Sequence, residues 1–437
     1  MPDDWKDILL EDVADDVTVG HVGPMTQEYI ASGVPFLRSQ NVLRYRLDFS
    51  DTKFISSDFH DRLKKSSLSA GDVVIVRTGK PGTCAVVPGQ FPAVNCSDLV
   101  IVRPGERLDS RFLMYYVNTI ASHHVNSHLV GAVQQHFNVG AARKMRLHLP
   151  PLPEQKAIAG VLGALDDKIE LNRRMNETLE GIARAVFRSW FIDFDPVLRN
   201  ARAAGSPIPP ELLAVSNVER ADRAATLPDD APATDYDHLF PATFQDSPLG
   251  PIPDGWEVKK LYEVCEFAYG KALKADNRVP GPVPVYGSNG PVGWHNERLV
   301  EGPGIVVGRK GNPGTVTWSQ EDFFPIDTTF FVVPKDGAPA LHYMRHALGA
   351  LNLPALSADS AVPGLNRNMA YMSDLLVPDE QVIAAFTEQA EALMVKRQHN
   401  TRQTDTLAAL RDTLLPKLLS GEVRVPEAMA AEEERGE

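Results

Sequence analysis

One short motif occurs twice in this sequence, as RTGKPGT at Arg77–Thr83 and as RKGNPGT at Arg309–Thr315. Each copy follows a run of β-branched residues, VVIV at Val73–Val76 and IVV at Ile305–Val307. Such runs predict buried strands, and the glycines and proline that follow predict a tight turn. The same strand and turn are therefore expected at two distant places in the chain.

Further anchors recur in the same order on both sides of the chain. They pair Trp5–Val13 with Trp256–Val264 (W-x4-L-x2-V), Val34–Gln40 with Val283–Asn289, and Glu154-Gln155 with Glu380-Gln381. The copies are separated by roughly 230–250 residues, far more than any solenoid repeat, so we infer duplication of a whole domain together with a helix.

Each copy ends in a long helix whose apolar residues follow the 3-4 spacing of a coiled-coil seam, with polar residues in the middle. The first seam contains Ile158, Leu162, Leu165, Ile169, Asn172, Asn176, Leu179, Ala183, Val186 and Trp190. The second contains Ile383, Phe386, Ala390, Leu393, Arg397, Asn400, Thr404, Leu407, Arg411 and Leu414. We expect the helices to pair. At about 1.5 Å per residue, a helix over 154–191 spans roughly 55 Å and serves as a spacer between two domains.

The predicted fold class is α+β. Short β-branched and aromatic segments, separated by Gly, Pro, Asn and Asp, indicate a compact domain in each copy. Residues 198–250 are rich in Ala, Pro, Asp and Ser, and a flexible linker is expected there. The expected segments are a domain at 1–150, a helix at 151–197, the linker at 198–250, a second domain at 251–378, a second helix at 379–421 and an acidic tail at 422–437.

The net charge of −13 is unevenly distributed along the chain. Residues 1–16, 198–256 and 426–437 carry net charges of −6, −5 and −4, so the rest of the chain is slightly basic. Local field, rather than total charge, attracts nucleic acid. The charge therefore neither requires nor excludes DNA binding.

The sequence lacks the common catalytic motifs. Gly79-Lys80 is followed by Pro81 and has no earlier glycine of a phosphate loop, and the motifs of dinucleotide folds, serine hydrolases and zinc proteases do not occur. Asn312–Thr315 lacks the second proline and the aromatic of the adenine methyltransferase motif. No catalytic residue and no metal site is predicted. The chain has three cysteines without CxxC spacing, no signal peptide and no apolar run of membrane-spanning length, so a cytoplasmic protein is expected.

Arginine and amide side chains in the predicted turns are the types that contact DNA, because arginine pairs with guanine and asparagine or glutamine with adenine. For any single residue, a turn-stabilising or solvated role is at least as strongly favoured. The candidates for DNA contact are Arg38, Gln40, Arg77, Thr78, Lys80, Gln134, Gln135, Asn138, Ser288, Asn289, Arg309, Lys310, Asn312, Asn366, Arg367 and Asn368.

Two other clusters admit more than one interpretation. His123, His124 and His128 could supply metal ligands, but solvated or DNA-facing histidines are favoured because no Cys or acidic partner lies nearby in sequence. The aromatic residues at the end of the first helix indicate either core packing or a surface that docks a partner protein. The candidates for partner docking are Trp190, Phe191, Phe194, Leu414 and Leu415.

Three stretches resemble the specificity subunits of type I restriction-modification systems. They are LPPLPEQ at Leu149–Gln155, NETLEGIARAVFRSWFIDFDP at Asn176–Pro196 and LAALRDTLLPKLLSGE at Leu407–Glu422. The match departs from symmetry because Leu376–Asp379 is a degenerate version of the first stretch.

The resemblance implies two α/β target-recognition domains separated by two long antiparallel coiled-coil helices. Each domain would contact one half of a bipartite asymmetric duplex DNA target. The helices would dock two DNA adenine methyltransferase subunits that bind S-adenosylmethionine, and motor-nuclease subunits that use ATP and Mg²⁺ would join them. This chain would itself be non-catalytic and hold no cofactor.

Two alternatives stay open at the level of sequence. One is a recognition subunit of a methylation-only or related phage-defence system, which the neighbouring genes would distinguish. The other is a two-headed coiled-coil scaffold that binds no DNA, which salt-sensitive, sequence-selective binding of duplex DNA by the assembled complex would exclude.

Overall fold

A computed structural model of the chain describes residues 2, 4–120, 137–213, 234–358 and 364–425. The chain forms two compact units. Unit 1 comprises Met1–Arg174 and Asn400–Glu437, and unit 2 comprises Met175–His399. Each unit therefore contains one copy of the duplicated domain, together with a part of each long helix.

The N-terminal copy consists of short strands and helices. Its strands are β1 (Lys6–Leu9), β2 (Ala14–Val19), β3 (Val34–Leu37), β4 (Val42–Leu43), β5 (Arg46–Leu47), β6 (Lys53–Ile55), β7 (Ser67–Leu68), β8 (Val73–Val76), β9 (Cys84–Val86), β10 (Val94–Cys96), β11 (Leu99–Pro104) and β12 (Arg146–Leu149). Its helices are α1 (Ser57–Arg62), α2 (Ser110–Thr119) and α3 (Val139–Arg143), with 3-10 turns at Leu10–Asp12, Ser39–Asn41 and Lys64–Ser66.

The first long helix, α4 (Leu152–Phe191), continues from unit 1 into unit 2 and is followed by α5 (Asp195–Ala204) and α6 (Pro210–Leu213). The strands of the second copy are β13 (Phe244–Gln245), β14 (Ile252–Pro253), β15 (Glu257–Lys260), β16 (Cys265–Tyr269), β17 (Val283–Gly287), β18 (Gly290–His295), β19 (Gly304–Gly308), β20 (Val316–Ser319), β21 (Phe324–Pro325), β22 (Thr329–Pro334), β23 (Ser357–Ala358), β24 (Gly364–Leu365) and β25 (Asp374–Val377). Its helices are α7 (Leu261–Val264), α8 (Leu341–Ala350), α9 (Arg367–Tyr371) and the second long helix, α10 (Glu380–Leu419). Its 3-10 turns are Asp237–Leu239, Ala275–Asn277 and Leu353–Leu356.

The two copies have corresponding sheets, which confirms the duplication expected from the sequence. The order β2-β11-β8-β9 in unit 1 corresponds to β16-β22-β19-β20 in unit 2, and every neighbouring pair in both sheets is antiparallel. A second sheet runs β6-β3-β10-β7 in unit 1 and β18-β17-β21 in unit 2. In both of these sheets one pair is parallel, β3 with β10 and β17 with β21. The first and last strands pair as well, β1 with β12 and β15 with β25.

The anchors shared by the two copies lie in the two hydrophobic cores. The residues of the W-x4-L-x2-V spacing are all buried, namely Trp5, Leu10 and Val13 in unit 1 and Trp256, Leu261 and Val264 in unit 2. All four residues of Val73–Val76 are buried in β8, and Ile305–Val307 are buried in β19. The two predicted core strands are confirmed.

The two long helices pack against each other along the predicted seams. Every residue of both seams is buried or half-buried. In unit 1, Arg411 donates to Asp166 at 2.6 Å and Asn172 donates to Gln403 at 2.9 Å, so the helices are antiparallel there. In unit 2, Glu180 pairs with Arg397, and the rings of Phe191 and Phe386 are 5.3 Å apart, which again requires antiparallel helices. The predicted pairing is confirmed within each unit.

The linker expected at 198–250 differs from the structure in its described parts. Residues Val197, Leu198 and Ala201 form one buried face of α5, and Arg199 is ion-paired with Asp237 at 2.6 Å. The spacing of three apolar residues on one helical face outweighs the Ala- and Pro-rich composition that suggested flexibility. Residues 214–233 lie outside the described part of the chain.

The start of the expected acidic tail is also packed. Arg424 pairs with Asp4 at 2.9 Å and with Glu154 at 2.7 Å, and Val425 packs against the core of unit 1. The tail prediction therefore does not hold for residues 422–425, because Arg424 forms ion pairs and Val425 packs against the core. Residues 426–437 lie outside the described part of the chain.

Candidate nucleic-acid interface

The repeated motif forms the same loop in both units. It joins β8 to β9 in unit 1 and β19 to β20 in unit 2. Its two glycines have φ angles of +92° and +85° at Gly79 and Gly82, and of +84° and +80° at Gly311 and Gly314. Side chains are disfavoured at such left-handed positions, so glycine is required by the backbone. The motif therefore encodes the shape of the loop and leaves its intervening positions free to vary.

Equivalent backbone hydrogen bonds close both loops. The N–H of Val76 donates to the carbonyl of Thr83 over 2.8 Å, and the N–H of Gly308 donates to that of Thr315 over 2.8 Å. In each unit this bond joins the last residue of the strand before the loop to the last residue of the loop.

A second pair of equivalent bonds fixes the arginine that begins each loop. The N–H of Phe137 donates to the carbonyl of Arg77 over 3.0 Å, and the N–H of Leu365 donates to the carbonyl of Arg309 over 2.9 Å. In each unit the loop is therefore joined to the segment that precedes a short helix.

The predicted amide residues that follow these segments cap the short helices. The side chain of Asn138 accepts from the N–H of Ala141 at 2.8 Å at the start of α3. That of Asn366 accepts from the N–H groups of Asn368 and Met369 at 3.1 and 3.2 Å at the start of α9. An N-terminal cap of this kind satisfies backbone donors that would otherwise lack a partner. The structure thus assigns both asparagines the turn-stabilising role that the sequence left open.

The loop arginine of unit 1 is paired with a carboxylate. A terminal nitrogen of the Arg77 guanidinium donates to Asp98, and its Nε donates to the carbonyl of Phe137 at 3.3 Å. The Arg77 side chain is 19% exposed. Its charge is therefore largely compensated within unit 1.

The predicted residues after β3 are also engaged by an acid. Arg38 donates to Asp51 at 3.1 Å and Gln40 donates to the same carboxylate at 2.6 Å. The N–H of Ser97 donates to the carbonyl of Leu37. Arg38 follows Leu37 and Asp98 follows Ser97 in the chain, so this hydrogen bond holds Arg38 and Asp98 near each other. The structure brings these residues close to the first loop, on which Thr78 is half-buried and Lys80 is exposed. The candidates Gln134 and Gln135, and the cluster of His123, His124 and His128, lie outside the described residues.

In unit 2 the candidate residues lie on one continuous surface. Ser288 and Asn289 form the turn between β17 and β18, and the hydroxyl of Thr315 donates to the carbonyl of Ser288 at 2.6 Å. Lys310 forms a β-bridge with Gly364, two residues before the cap of α9. These contacts bring together Ser288, Asn289, Arg309, Lys310, Asn312, Asn366, Arg367 and Asn368, of which Asn289, Lys310, Asn312, Asn366 and Asn368 are exposed.

Two arginines of this surface stack on one tyrosine. The guanidinium carbon of Arg309 lies 4.9 Å from the centroid of the Tyr269 ring, and that of Arg367 lies 4.8 Å from it. Each arginine also donates a hydrogen bond to a backbone carbonyl. Arg309 donates to Asp327 at 3.1 Å, and Arg367 donates to Phe267 at 3.4 Å. Guanidinium groups that stack on an aromatic ring keep their N–H edges available to a ligand.

Sequence reasoning missed three residues of these surfaces, namely Asp51, Asp98 and Tyr269. Asp98 directly precedes β11, and Thr328 occupies the corresponding position directly before β22. The two copies therefore share no acid at this place, and their comparison gives no signal for Asp98. Tyr269 gives no signal either, because Val19 occupies the corresponding strand position in unit 1.

The residues considered for partner docking are mostly in the cores. In unit 2, Trp190, Phe191 and Phe194 are between 2% and 7% exposed, and the Phe191 ring lies 4.9 Å from that of Tyr343. In unit 1, Leu415 is 1% exposed, and Leu414 packs against the core. Core packing, one of the two alternatives that the sequence left open, therefore describes the four buried side chains, while Leu414 is half-buried.

All three cysteines of the chain are buried. Burial raises the pKa of the Cys265 thiol to about 12 and also raises the pKa values of the buried Cys84 and Cys96, which disfavours the nucleophilic thiolate. Within the described ranges, no group of three or more His, Cys, Asp and Glu residues is placed to hold a metal ion. None of the helices described there is long and apolar enough to cross a membrane.

Comparison with known proteins identifies the family. The model of the type I restriction modification DNA specificity domain matches residues 2–181 and 253–364, which include both loops. The chain belongs to this family. The resemblance noted in the sequence is therefore confirmed, and so is the fold class of two similar mixed domains with long paired helices.

Individual relatives agree with this family. The chain is 26% identical over 329 residues to the type I restriction enzyme HindI specificity subunit of Haemophilus influenzae, which covers 64% of this chain and 69% of that protein. It is 21% identical over 465 residues to the MjaIX specificity subunit of Methanocaldococcus jannaschii, covering 98% and 95% of the two chains. The crystal structure of a type I S subunit from M. genitalium has the same fold, with a TM-score of 0.56 at 16% identity over 95% of this chain and 96% of that one.

Proposed function

We propose that this chain recognises a bipartite, asymmetric duplex DNA target, with one half-site contacted by the loop surface of each unit. The observation that carries the proposal is the duplicated loop, whose backbone is the same in both units while its side chains differ. Thr78 and Lys80 in unit 1 stand where Lys310 and Asn312 stand in unit 2. One scaffold with two sets of side chains suits a target whose halves have different sequences.

The chain would act as the non-catalytic recognition subunit of a larger complex. Two DNA adenine methyltransferase subunits would supply methyl transfer from S-adenosylmethionine, and motor-nuclease subunits would supply cleavage with ATP and Mg²⁺. We assign these cofactors to the partners because the sequence of this chain has no phosphate loop and no methyltransferase motif. The place of action would be the cytoplasm, where host and phage DNA are accessible.

Exposed apolar residues on the long helices support the docking of partner subunits. In unit 1, Leu171 on α4 is 50% exposed and Leu410 on α10 is 46% exposed. In unit 2, Ile182 on α4 is 44% exposed and Val395 on α10 is 58% exposed. Each unit thus presents one exposed large apolar side chain from each helix, and we propose these four residues as the points at which two similar partners dock.

Expression of the chain with its methyltransferase partner tests the proposal. Methylome sequencing of a host with and without the gene should reveal adenine methylation at one split sequence, and the purified chain alone should methylate nothing. Arg77→Ala should weaken contact with one half-site, and Arg309→Ala should weaken contact with the other. Unchanged methylation in the host that lacks the gene would contradict the recognition role, and would leave the coiled-coil scaffold as the better account.

The docking surface has its own test. Leu171→Asp and Val395→Asp should each weaken co-purification of the methyltransferase, because each places a charge on an apolar contact. Lys168→Asp, at a half-buried polar position of α4, is the control for a change of charge on the helix that carries Leu171. Unaltered assembly in both apolar variants, with circular dichroism showing intact helices, would place the partner contacts elsewhere.

A further inference from the structure

The stack of two arginines on Tyr269 is built from three separate parts of unit 2. Tyr269 ends β16, Arg309 begins the loop after β19, and Arg367 begins α9. Tyr269 is 51% exposed although both guanidinium groups lie over its ring. Arg309 is also 5.9 Å from the ring of Phe330, and Arg367 is 5.6 Å from the ring of Tyr371. Aromatic rings and backbone carbonyls therefore hold both arginines in place at an accessible surface.

Unit 1 has the same backbone arrangement as unit 2 around this stack, but it lacks the tyrosine and the second arginine. The N–H of Gly20 donates to Leu99 just as the N–H of Gly270 donates to Thr329, so Val19 corresponds to Tyr269. The residue after the helix cap is Val139 in unit 1 and Arg367 in unit 2. The duplicated fold does not require the stack, because unit 1 forms the same sheet and loop without it.

The two units also differ in how the loop arginine is compensated. Arg77 has the carboxylate of Asp98 as its partner, whereas the Arg309 guanidinium donates to the backbone carbonyl of Asp327 and lies over the Tyr269 ring. Within the described residues, neither Arg309 nor Arg367 forms an ion pair. Both guanidinium groups lie within 5 Å of the centroid of one ring, so the two positive charges are about 10 Å apart or less. Among the described residues no acid compensates them, and a negatively charged group that binds beside them is attracted to both.

A phosphate of duplex DNA is the group that fits this site. A phosphodiester carries a full negative charge and several acceptor oxygens, whereas the edge of a base carries acceptors but no charge. Arginine is suited to phosphate because its planar fork can donate two hydrogen bonds to two oxygens. The surface also contains Lys310, which is exposed beside Arg309.

We propose that Tyr269 positions Arg309 and Arg367 as a clamp for the DNA backbone at the half-site contacted by unit 2. This inference rests on the proposed function that the chain binds duplex DNA. The clamp fixes the second unit on the duplex without reading its sequence, and it has no counterpart at the corresponding positions of unit 1. Tyr269 is a positioning residue, since it acts through the two arginines.

Salt-dependent binding by the full chain, assembled with its methyltransferase partner, tests the clamp. Affinity for a fluorescent duplex is measured between about 50 and 200 mM salt, with circular dichroism to show that each variant is folded. Removing both arginines in Arg309→Gln/Arg367→Gln should lower the slope of log affinity against log salt by about 2 and weaken binding roughly eightfold for each lost contact at 0.1 M salt. The loss should be the same for duplexes of any sequence at this half-site.

A double-mutant comparison shows whether Tyr269 acts through the arginines. Tyr269→Val installs the residue that unit 1 has at this strand position, and it should weaken binding and lower the slope in the wild-type background. In the Arg309→Gln/Arg367→Gln background it should have no further effect. Tyr262→Leu, which removes another half-exposed tyrosine of the same unit, should leave the slope unchanged.

The outcomes separate this inference from the function on which it rests. No binding of duplex DNA by the wild-type complex would overturn the proposed function. With wild-type binding intact, an unchanged slope in the double arginine variant, or a loss confined to one base position, would overturn the phosphate clamp. An equal effect of Tyr269→Val in both backgrounds would overturn the positioning role. If Tyr269→Val fails to fold, the double arginine variant still decides the clamp.

Discussion

Replacing Glu180 by alanine is expected to destabilise unit 2, because this carboxylate joins three of its helices. Glu180 lies on α4 and accepts hydrogen bonds from Arg345 on α8 at 2.8 Å on each oxygen. It also accepts from Arg397 on α10. The side chain of Glu180 is 15% exposed, and those of Arg345 and Arg397 are 15% and 29% exposed. The three charges therefore form a largely buried cluster.

The magnitude follows from the burial of the two arginines. Burial acts to raise the pKa of Glu180, but the hydrogen bonds and charges of Arg345 and Arg397 outweigh it and hold that pKa below its usual value. The carboxylate is therefore ionised at neutral pH, and Glu180→Ala removes the negative charge that compensates these two largely buried arginines. Breaking a buried pair costs about 3–5 kcal/mol, against about 0–1 kcal/mol for an exposed one. Since Arg397 keeps some solvent contact, we expect about 3 kcal/mol, or a fall of about 6–12 °C in the melting temperature of a unit of this size.

Urea unfolding of the full chain at pH 7, followed by tryptophan fluorescence, measures this loss. Glu177→Ala is the matched control, since Glu177 is an exposed acid one turn earlier on the same helix, and it should change stability by less than about 0.5 kcal/mol. High salt should reduce the difference only slightly, because buried pairs are weakly screened. A cost below about 1 kcal/mol for Glu180→Ala, similar to the control, would show that the cluster behaves as a surface ion pair and would refute the argument.

Three further perturbations follow from the structure. Burial, aided by the charge of Arg345, lowers the pKa of His346 to about 4. Because the unfolded imidazole titrates near 6.5, the unfolded state takes up a proton first as the pH falls. Unit 2 should therefore lose stability between about pH 6.5 and about pH 4, by roughly 3 kcal/mol at most, and His346→Phe should flatten this dependence in urea titrations. Asp98→Asn should release the charge of Arg77 and steepen the salt dependence of duplex binding by about one unit of slope; an unaltered slope would show that the freed arginine does not meet the backbone. Asn366→Ala should cost about 1 kcal/mol in unfolding experiments through the loss of a helix cap, with half-site preference unchanged, and selective loss at one base pair would argue for direct base contact instead.

The fold was predictable wherever backbone geometry or burial restricts the residue type. The glycines at 79, 82, 311 and 314 occupy left-handed positions, so their spacing in the repeated motif was enough to predict both loops. The 3-4 spacing predicted both seams, because a helix that buries one stripe must repeat apolar residues at that interval. The linker prediction failed at α5 since composition conceals a short amphipathic face.

The candidate site was less predictable because its contacts join residues that are far apart in sequence. Nothing near Tyr269 indicates that Arg367, roughly 100 residues later, stacks on its ring, and a strand-end aromatic has no pattern of its own. The aromatic cluster around Trp190 was ambiguous for the same reason. Periodicity shows that a helical face is apolar, but it does not show whether Phe386 of the same chain or a partner protein covers it.

Comparison of the two copies distinguishes the loop residues that maintain the backbone shape from those that are free to contact a ligand. The glycines, the strand-end hydrogen bonds and the asparagine caps are shared by both units, and each satisfies a demand of the backbone. The positions between them differ, and even the shared arginine has a carboxylate partner in unit 1 and an aromatic partner in unit 2. Because Lys80, Lys310 and Asn312 are exposed, substitutions there leave the two cores untouched. A scaffold of this kind lets each unit change the DNA that it contacts without losing its fold, and lets the two units change independently.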